Sequence, residues 1–172
     1  MNDFEKILSG GDLRSIGNSN AVIPAIQNQD DFDELFKYLF HKDRRVVMRA
    51  ADAIEKITTT YPQYLLKHKK EIFELSSVAK NKELKWHLAL LLPRLHLESK
   101  EFINSRDILT NWALDKTNSR IVRVNCIQGL FEMMKQQSGL EKKFSSMLLE
   151  IEKENIPSVN ARIKKLQNVR HH

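Results

Sequence analysis

The 172-residue sequence predicts an all-α fold of stacked helix pairs, and three observations carry that prediction. First, an apolar pattern recurs every 38 residues: Val46, Ala50, Ala53, Ile54, Ile57, then Leu84, Leu88, Leu91, Leu92, Leu95, then Val122, Cys126, Gly129, Leu130, Met133. Second, each set has offsets of 0, 4, 7, 8 and 11, which form one stripe along an α-helix. Third, glycine (5) and proline (4) are scarce, and no Val or Thr run alternates as a strand would. A looser fourth copy begins near Val159, with Ile163 and Leu166. One helix pair cannot bury such a stripe alone, so repeats of about 40 residues stack.

Residues 1–28 read as an opening cap. Phe4, Ile7 and Leu8 predict a short helix ended by Gly10-Gly11. Leu13 and Ile16 predict another turn, ended by Gly17-Asn18, and Val22, Ile23 and Ile26 a third short helix. Short helices punctuated by glycine suit a cap over the first open face of a stack.

About four helix pairs follow over residues 29–168. Asp30 or Asp31 can N-cap a helix carrying Phe32, Leu35, Phe36 and Leu39. A turn at His41-Lys42-Asp43 leads into the helix of Val46 to Ile57. Thr58-Thr59-Thr60-Tyr61 weakens helicity, and Pro62 opens the next helix. Ile72, Phe73, Leu75 and Val78 mark the second pair's first helix, and Asn81 caps its partner, Leu84 to Leu95. Phe102, Leu109, Trp112 and Ala113 mark the third pair's first helix, with Trp112 in the core. Asn118 or Ser119 starts the helix of Val122 to Met133, which Gly139 separates from the next. Leu140, Phe144, Met147, Leu148 and Ile151 form the fourth pair's first helix. Pro157 opens the closing helix, whose more polar face (Asn160, Arg162, Lys164, Lys165) suits a terminal cap. The chain reads as a single domain, residues 1–172, with residues 169–172 a tail whose two histidines resemble a tag remnant.

The net charge of +6 is unevenly placed. Residues 1–36 set Lys6 and Arg14 against seven acidic residues, so the rest of the chain is strongly basic. A basic body attracts nucleic acid, anionic lipid or acidic protein, or is simply a solvated lysine-rich surface. The lone Cys126 cannot form an internal disulfide and occupies a stripe position, as a small buried hydrophobe would. That suits a reducing, cytoplasmic setting. MNDFEKIL lacks the basic region of a signal peptide. The longest apolar run, Leu88–Leu92, stops at Pro93, far short of the roughly 20 residues of a membrane span, so no membrane partner is expected.

No catalytic signature is found: GxSxG, HExxH, the Walker loop and GxGxxG are all missing from the sequence. Ser9-Gly10-Gly11-Asp12 is followed by no phosphate-binding lysine and reads as a helix break. His41, His68, His87 and His96 never pair at i+4 with another His or Cys. No catalytic residue, metal or cofactor is therefore expected.

The stretch Val46-Val47-Met48-Arg49-Ala50-Ala51-Asp52-Ala53-Ile54 resembles the second helix of a HEAT repeat, with its hydrophobic-basic pair followed by small residues. Leu84-Lys85 and Val122-Arg123 keep that pair, whereas Val47 stands where the family usually has Arg or Lys. Residues 48–57 and 85–95 resemble small bacterial HEAT-repeat proteins of the armadillo type. The resemblance implies a right-handed α-solenoid and a binding scaffold rather than an enzyme. One HEAT-like family, the alkylpurine DNA glycosylases, is enzymatic; Trp112 and Asp115 could serve such a role, but the chain is shorter than those enzymes and Trp112 falls in the apolar stripe.

On a helical wheel Met48 lies at roughly 200° from Val46, away from the stripe. Its 38-residue equivalents are Trp86 and Val124. Val47, Lys85 and Arg123 flank that column on one side, and Arg49, His87 and Asn125 on the other, with Lys56 and Arg94 further along. In HEAT-like stacks the second helices line the concave surface, so the resemblance implies a groove centred on Trp86 with cations on both sides. The candidate binding residues are Met48, Arg49, Lys85, Trp86, His87, Arg94, Arg123 and Asn125. The expected partner is a protein or acidic peptide. Nucleic acid is the alternative, and the acidic first 36 residues of this chain or of a second copy could compete for the face. The alternative reading packs Trp86 between repeats or against a dimer mate and has Lys85 and Arg123 hold inter-repeat hydrogen bonds.

Overall fold

The computed structural model describes residues 4–9, 17–137 and 139–169, and no strand occurs among them. The chain forms two compact units, Met1–Glu71 and Ile72–His172. The boundary falls within α5 (Lys69–Val78).

The first unit contains α1 (Phe4–Leu8), α2 (Gly17–Val22), α3 (Gln29–Phe36) and α4 (Arg44–Thr60). Gly17 opens a helix rather than closing one. The breaks and turn expected at residues 10–16 lie outside the described residues. Asn28, not Asp30 or Asp31, caps α3: its Oδ1 accepts from the Asp31 N–H at 3.0 Å. The two aspartates fill the first turn instead, where negative charge suits the helix dipole. Asp43 caps α4 by accepting from the Arg45 N–H at 2.8 Å, and the Arg45 side chain helps hold its carboxyl down to about 2.

The threonine run does not weaken α4. The Thr58 hydroxyl donates to the Ile54 carbonyl at 2.8 Å and Thr59 to Glu55 at 3.1 Å, so both ride on the helix. Pro62 then opens a 3-10 turn, Pro62–His68. The stripe residues Val46, Ala50, Ala53, Ile54 and Ile57 are buried, and α1, α2 and α3 pack on α4. His68 stacks on Phe36 with centroids 3.9 Å apart and meets Asp33 Oδ1 at 2.8 Å.

The second unit contains α6 (Lys82–Leu91), α7 (Ser99–Leu114), α8 (Arg120–Gln136), α9 (Glu141–Glu152) and α10 (Pro157–Val169). Helix α8 lies at its centre, against α6, α7, α9 and α10. All stripe residues from Leu84 to Leu95, Val122 to Met133 and Val159 to Leu166 are buried. The sequence extends α6 to Leu95, but α-helix stops at Leu91 and a 3-10 turn, Leu92–Arg94, follows. Pro93 has no N–H to continue the ladder. Helix α7 starts on a reciprocal capping box in which the Glu101 carboxylate accepts from the Glu98 N–H at 2.9 Å. Gly139 adopts φ 87°, a left-handed turn open to glycine, between α8 and α9.

Gly129 sets how closely α6 and α8 approach. A Cβ there would lie 2.5 Å from the Ala89 carbonyl oxygen and 3.1 Å from both Leu109 Cδ1 and Pro93 Cγ. On either side of this point, Asn125 Nδ2 donates to the Trp86 carbonyl at 3.2 Å and Gln136 Nε2 to the Pro93 carbonyl at 2.8 Å. Partners advance in the same direction along α6 and its 3-10 extension and along α8, so the two run roughly parallel, with offsets of 39 and 43 residues at the two bonds.

Two stability outcomes follow from this packing. Gly129→Ala would gain roughly 1 kcal/mol in an open helix; here it should cost about 1–3 kcal/mol from overpacking. Leu92→Ala, at a site with no exposed surface, should cost about 2–5 kcal/mol, and exposed Lys142→Ala no more than about 0.5. Urea unfolding of the three variants checks both.

Candidate functional site

The eight candidate residues do not form one exposed face. Met48 is buried, and the capping helices α1 and α2 pack on α4, which a wheel of the isolated helix does not register. Arg49 is fully buried, and its Nη1 donates to the Leu8 carbonyl at the end of α1, 2.7 Å away. His87 is buried beside Trp86, with ring centroids 5.4 Å apart. Arg94 stands in the 3-10 turn after Pro93, off the helical register.

Arg123 is also buried and is held in three places. Its Nε donates to the Ala113 carbonyl, in the last turn of α7, at 2.7 Å. Its Nη1 and Nη2 make a bidentate pair with Glu154 at 2.8 and 2.9 Å. That pairing holds the Glu154 carboxyl below its ordinary range. Lys85 is a partial analogue: its Nζ donates to Asn118 Oδ1 at 2.9 Å and stands 5.3 Å above the Trp112 ring. Asn118 in turn donates to the Trp112 carbonyl at 3.1 Å. The basic positions of α6 and α8 thus reach forward to later turns and so join successive repeats.

Trp112 is half-buried beneath Lys85 rather than enclosed in the core. Asp115 accepts from the Thr117 N–H at 2.9 Å and hydroxyl at 2.7 Å, and these bonds lower its carboxyl. Both residues of the suggested glycosylase pair therefore shape the turn between α7 and α8. Burial pushes the Cys126 thiol far above its ordinary range, and the side chain is packing material.

Trp86 and Asn125 remain half-buried on the α6 and α8 surfaces. Further along the same face is an open groove of about 450 Å³ between α8 and α10. Ile121, Val124 and Ala161 give it an apolar floor; Arg120, Arg162 and Lys165 give it cations, and no carboxylate lines it. Ile121 is 45% exposed, a large apolar side chain left in water. Arg162 is steadied by Gln128, whose Oε1 accepts from its Nη1 at 2.6 Å. Sequence reasoning assigned Arg162 and Lys165 to a solvated cap. The signal was present: one further 38-residue step carries the Trp86–Val124 column to Arg162.

A family model described as HEAT repeat domain matches residues 9–169. No curated protein and no solved structure matches the chain. No described helix is long and apolar enough to cross a membrane.

The Arg123–Glu154 pair has a pH signature. Its contribution is complete at neutral pH, above the unfolded glutamate value of about 4.3. It should fade as pH falls through the lower folded value. Glu154→Gln should flatten the acid limb of the stability profile below about pH 4.5. Arg123→Ala, which strips two anchors from a buried cation site, should cost about 3 kcal/mol at pH 7. Thermal unfolding across pH checks both.

Proposed function

The chain belongs to the HEAT repeat family, and from that premise we propose that it is a non-catalytic adaptor binding an acidic peptide segment of a partner protein. The observation that supports this reading is the groove between α8 and α10, with its apolar floor and a rim whose charged members are all cations. An extended or helical segment with alternating apolar and acidic side chains matches both features. Its apolar groups would cover Ile121 and Val124, and its carboxylates would reach Arg120, Arg162 and Lys165. Apolar burial supplies most of the affinity in such an arrangement, and rim charges supply orientation and encounter rate. Trp86, on the same column one repeat earlier, extends the contact face.

This proposal moves the centre of the site away from the buried cations. Arg49 and Arg123 bond to main-chain carbonyls and to Glu154, so they act on the scaffold. The groove's own cations are Arg120, in the first turn of α8, and Arg162 and Lys165 of α10.

Fluorescence anisotropy with a labelled Glu/Leu-rich amphipathic peptide tests the reading. The double variant Arg162→Glu/Lys165→Glu should weaken binding about tenfold, equivalent to about 1.4 kcal/mol. Trp86→Ala should weaken it by a smaller factor. Unchanged affinity in the double variant would refute the proposal. Tighter binding of a single-stranded oligonucleotide, with a steep loss on adding salt, would move the assignment to nucleic acid.

A further inference from the structure

The second unit has another concavity, on the side of α8 that faces α7 and α9. It encloses about 210 Å³ and is more closed than the groove. Leu130, Met133 and Met134 of α8 line it together with Phe144 and Met147 of α9. Arg106, Asp107 and Lys143 are its charged members. We propose that this pocket binds a small amphipathic anion, an alkyl or aryl carboxylate, with its apolar body among the methionines and its carboxylate at Lys143.

Size and lining define the body of the ligand. Apolar cavities of about 150 Å³ stay dry and accept benzene, so this one has room for a ring with a short chain or for a medium alkyl chain. Its apolar walls offer water few hydrogen-bond partners, so an apolar ligand that fills it gains dispersion contacts with them. Three of the lining residues are methionines, whose flexible, polarizable side chains adapt to ligands of differing shape. Ordinary core packing would select Leu, Ile or Phe to close such a space. The turn before α9 contributes Leu140 to the lining, and Gly139 with φ 87° turns the chain there.

Charge defines the head. Arg106 Nε and Nη2 both donate to Asp107 Oδ1, at 3.0 and 2.8 Å, so these two neighbours neutralise each other. Lys143 leaves the pocket with a net positive charge, and it is exposed, on the solvent side of the apolar lining. An anion is thereby preferred over a neutral or cationic molecule of equal shape. The head group stays hydrated while the body is buried, which avoids the cost of burying a charge.

The methionines also provide the readout. The chain has five, of which Met133, Met134 and Met147 line the pocket, and Met48 lies in the first unit. With methyl-labelled methionine, octanoate should shift the three pocket signals and leave Met48 in place. Octylammonium should bind at least fivefold more weakly. Lys143→Glu, a surface change, should weaken octanoate about fivefold, the scale of one exposed charge contact. Thr110→Phe, which fills the pocket from α7, should abolish binding, with unchanged helical circular dichroism and a cooperative thermal transition reporting that the second unit still folds. Arg162→Glu/Lys165→Glu should leave octanoate affinity unchanged, which separates this site from the groove. Pocket signals that do not move up to millimolar octanoate, or equal affinity for octanoate and octylammonium, would overturn the proposal.

Discussion

The point where α8 meets α6 governs the second unit. At Gly129 the absence of a side chain lets the Ala89 carbonyl come within 2.5 Å of where a Cβ would stand. No other residue type permits that spacing without moving backbone. Two side-chain amides bond main-chain carbonyls on either side of the contact, Asn125 to Trp86 of α6 and Gln136 to Pro93 of the 3-10 turn that follows, and fix its register. The stripes from Leu84 to Leu95 and from Val122 to Met133 are then brought together over their whole length. Moving the helices apart by a methyl group would open that contact everywhere, because packed side chains lose dispersion steeply with distance. The contact also fixes the positions of the other α8 flanks, one toward α10 and one toward α7 and α9.

Most of the long cations at repeat positions act inward. Arg49 and Arg123 each meet a main-chain carbonyl near the end of a preceding helix, where the dipole is negative and carbonyls lack helical partners. Burying a guanidinium is tolerable there because its fork is satisfied, and Arg123 adds a bidentate carboxylate. These residues contribute to net charge without contributing to the charge a ligand meets. The cations that line the groove, Arg120, Arg162 and Lys165, are a different set from these inward-bonded ones.

The repeat and its core were legible in the sequence because they depend on local periodicity. Each stripe position from Val46 to Leu166 is buried, and α9 and α10 lie where Leu140–Ile151 and Pro157 place them. The candidate face was only partly legible. A helical wheel reports where a Cα points, and it says nothing of what non-local elements cover it. Met48 is outward on its own helix and is still buried; elements distant in sequence, α1 and α2 among them, pack on α4. For Arg49 and Arg123 the wheel fails differently, because a long side chain carries its head group away from the direction of its Cα. The α-helix ends at Leu91, four residues before the stripe does, and Pro93 in the 3-10 turn removes Arg94 from its column. Gly17 was misread because a glycine marks a chain reversal without saying whether a helix ends or begins there.

Both proposed ligand sites border α8, and they use it in opposite ways. The groove takes its floor from the open side of the helix, Ile121 and Val124, near the first turns. The pocket takes Leu130, Met133 and Met134, near the last turns and continuous with the buried stripe. A groove of exposed apolar groups and cations gains affinity from a partner long enough to span it, and its charge contacts are screened by salt. The narrower, methionine-lined pocket depends on shape and apolar volume, and only its rim responds to salt. Each site also involves a different helix of the closing repeat, α10 for the groove and α9 for the pocket. That repeat copies the stripe most loosely, and freedom from the strict repeat pattern is what allows its helices to leave space beside α8.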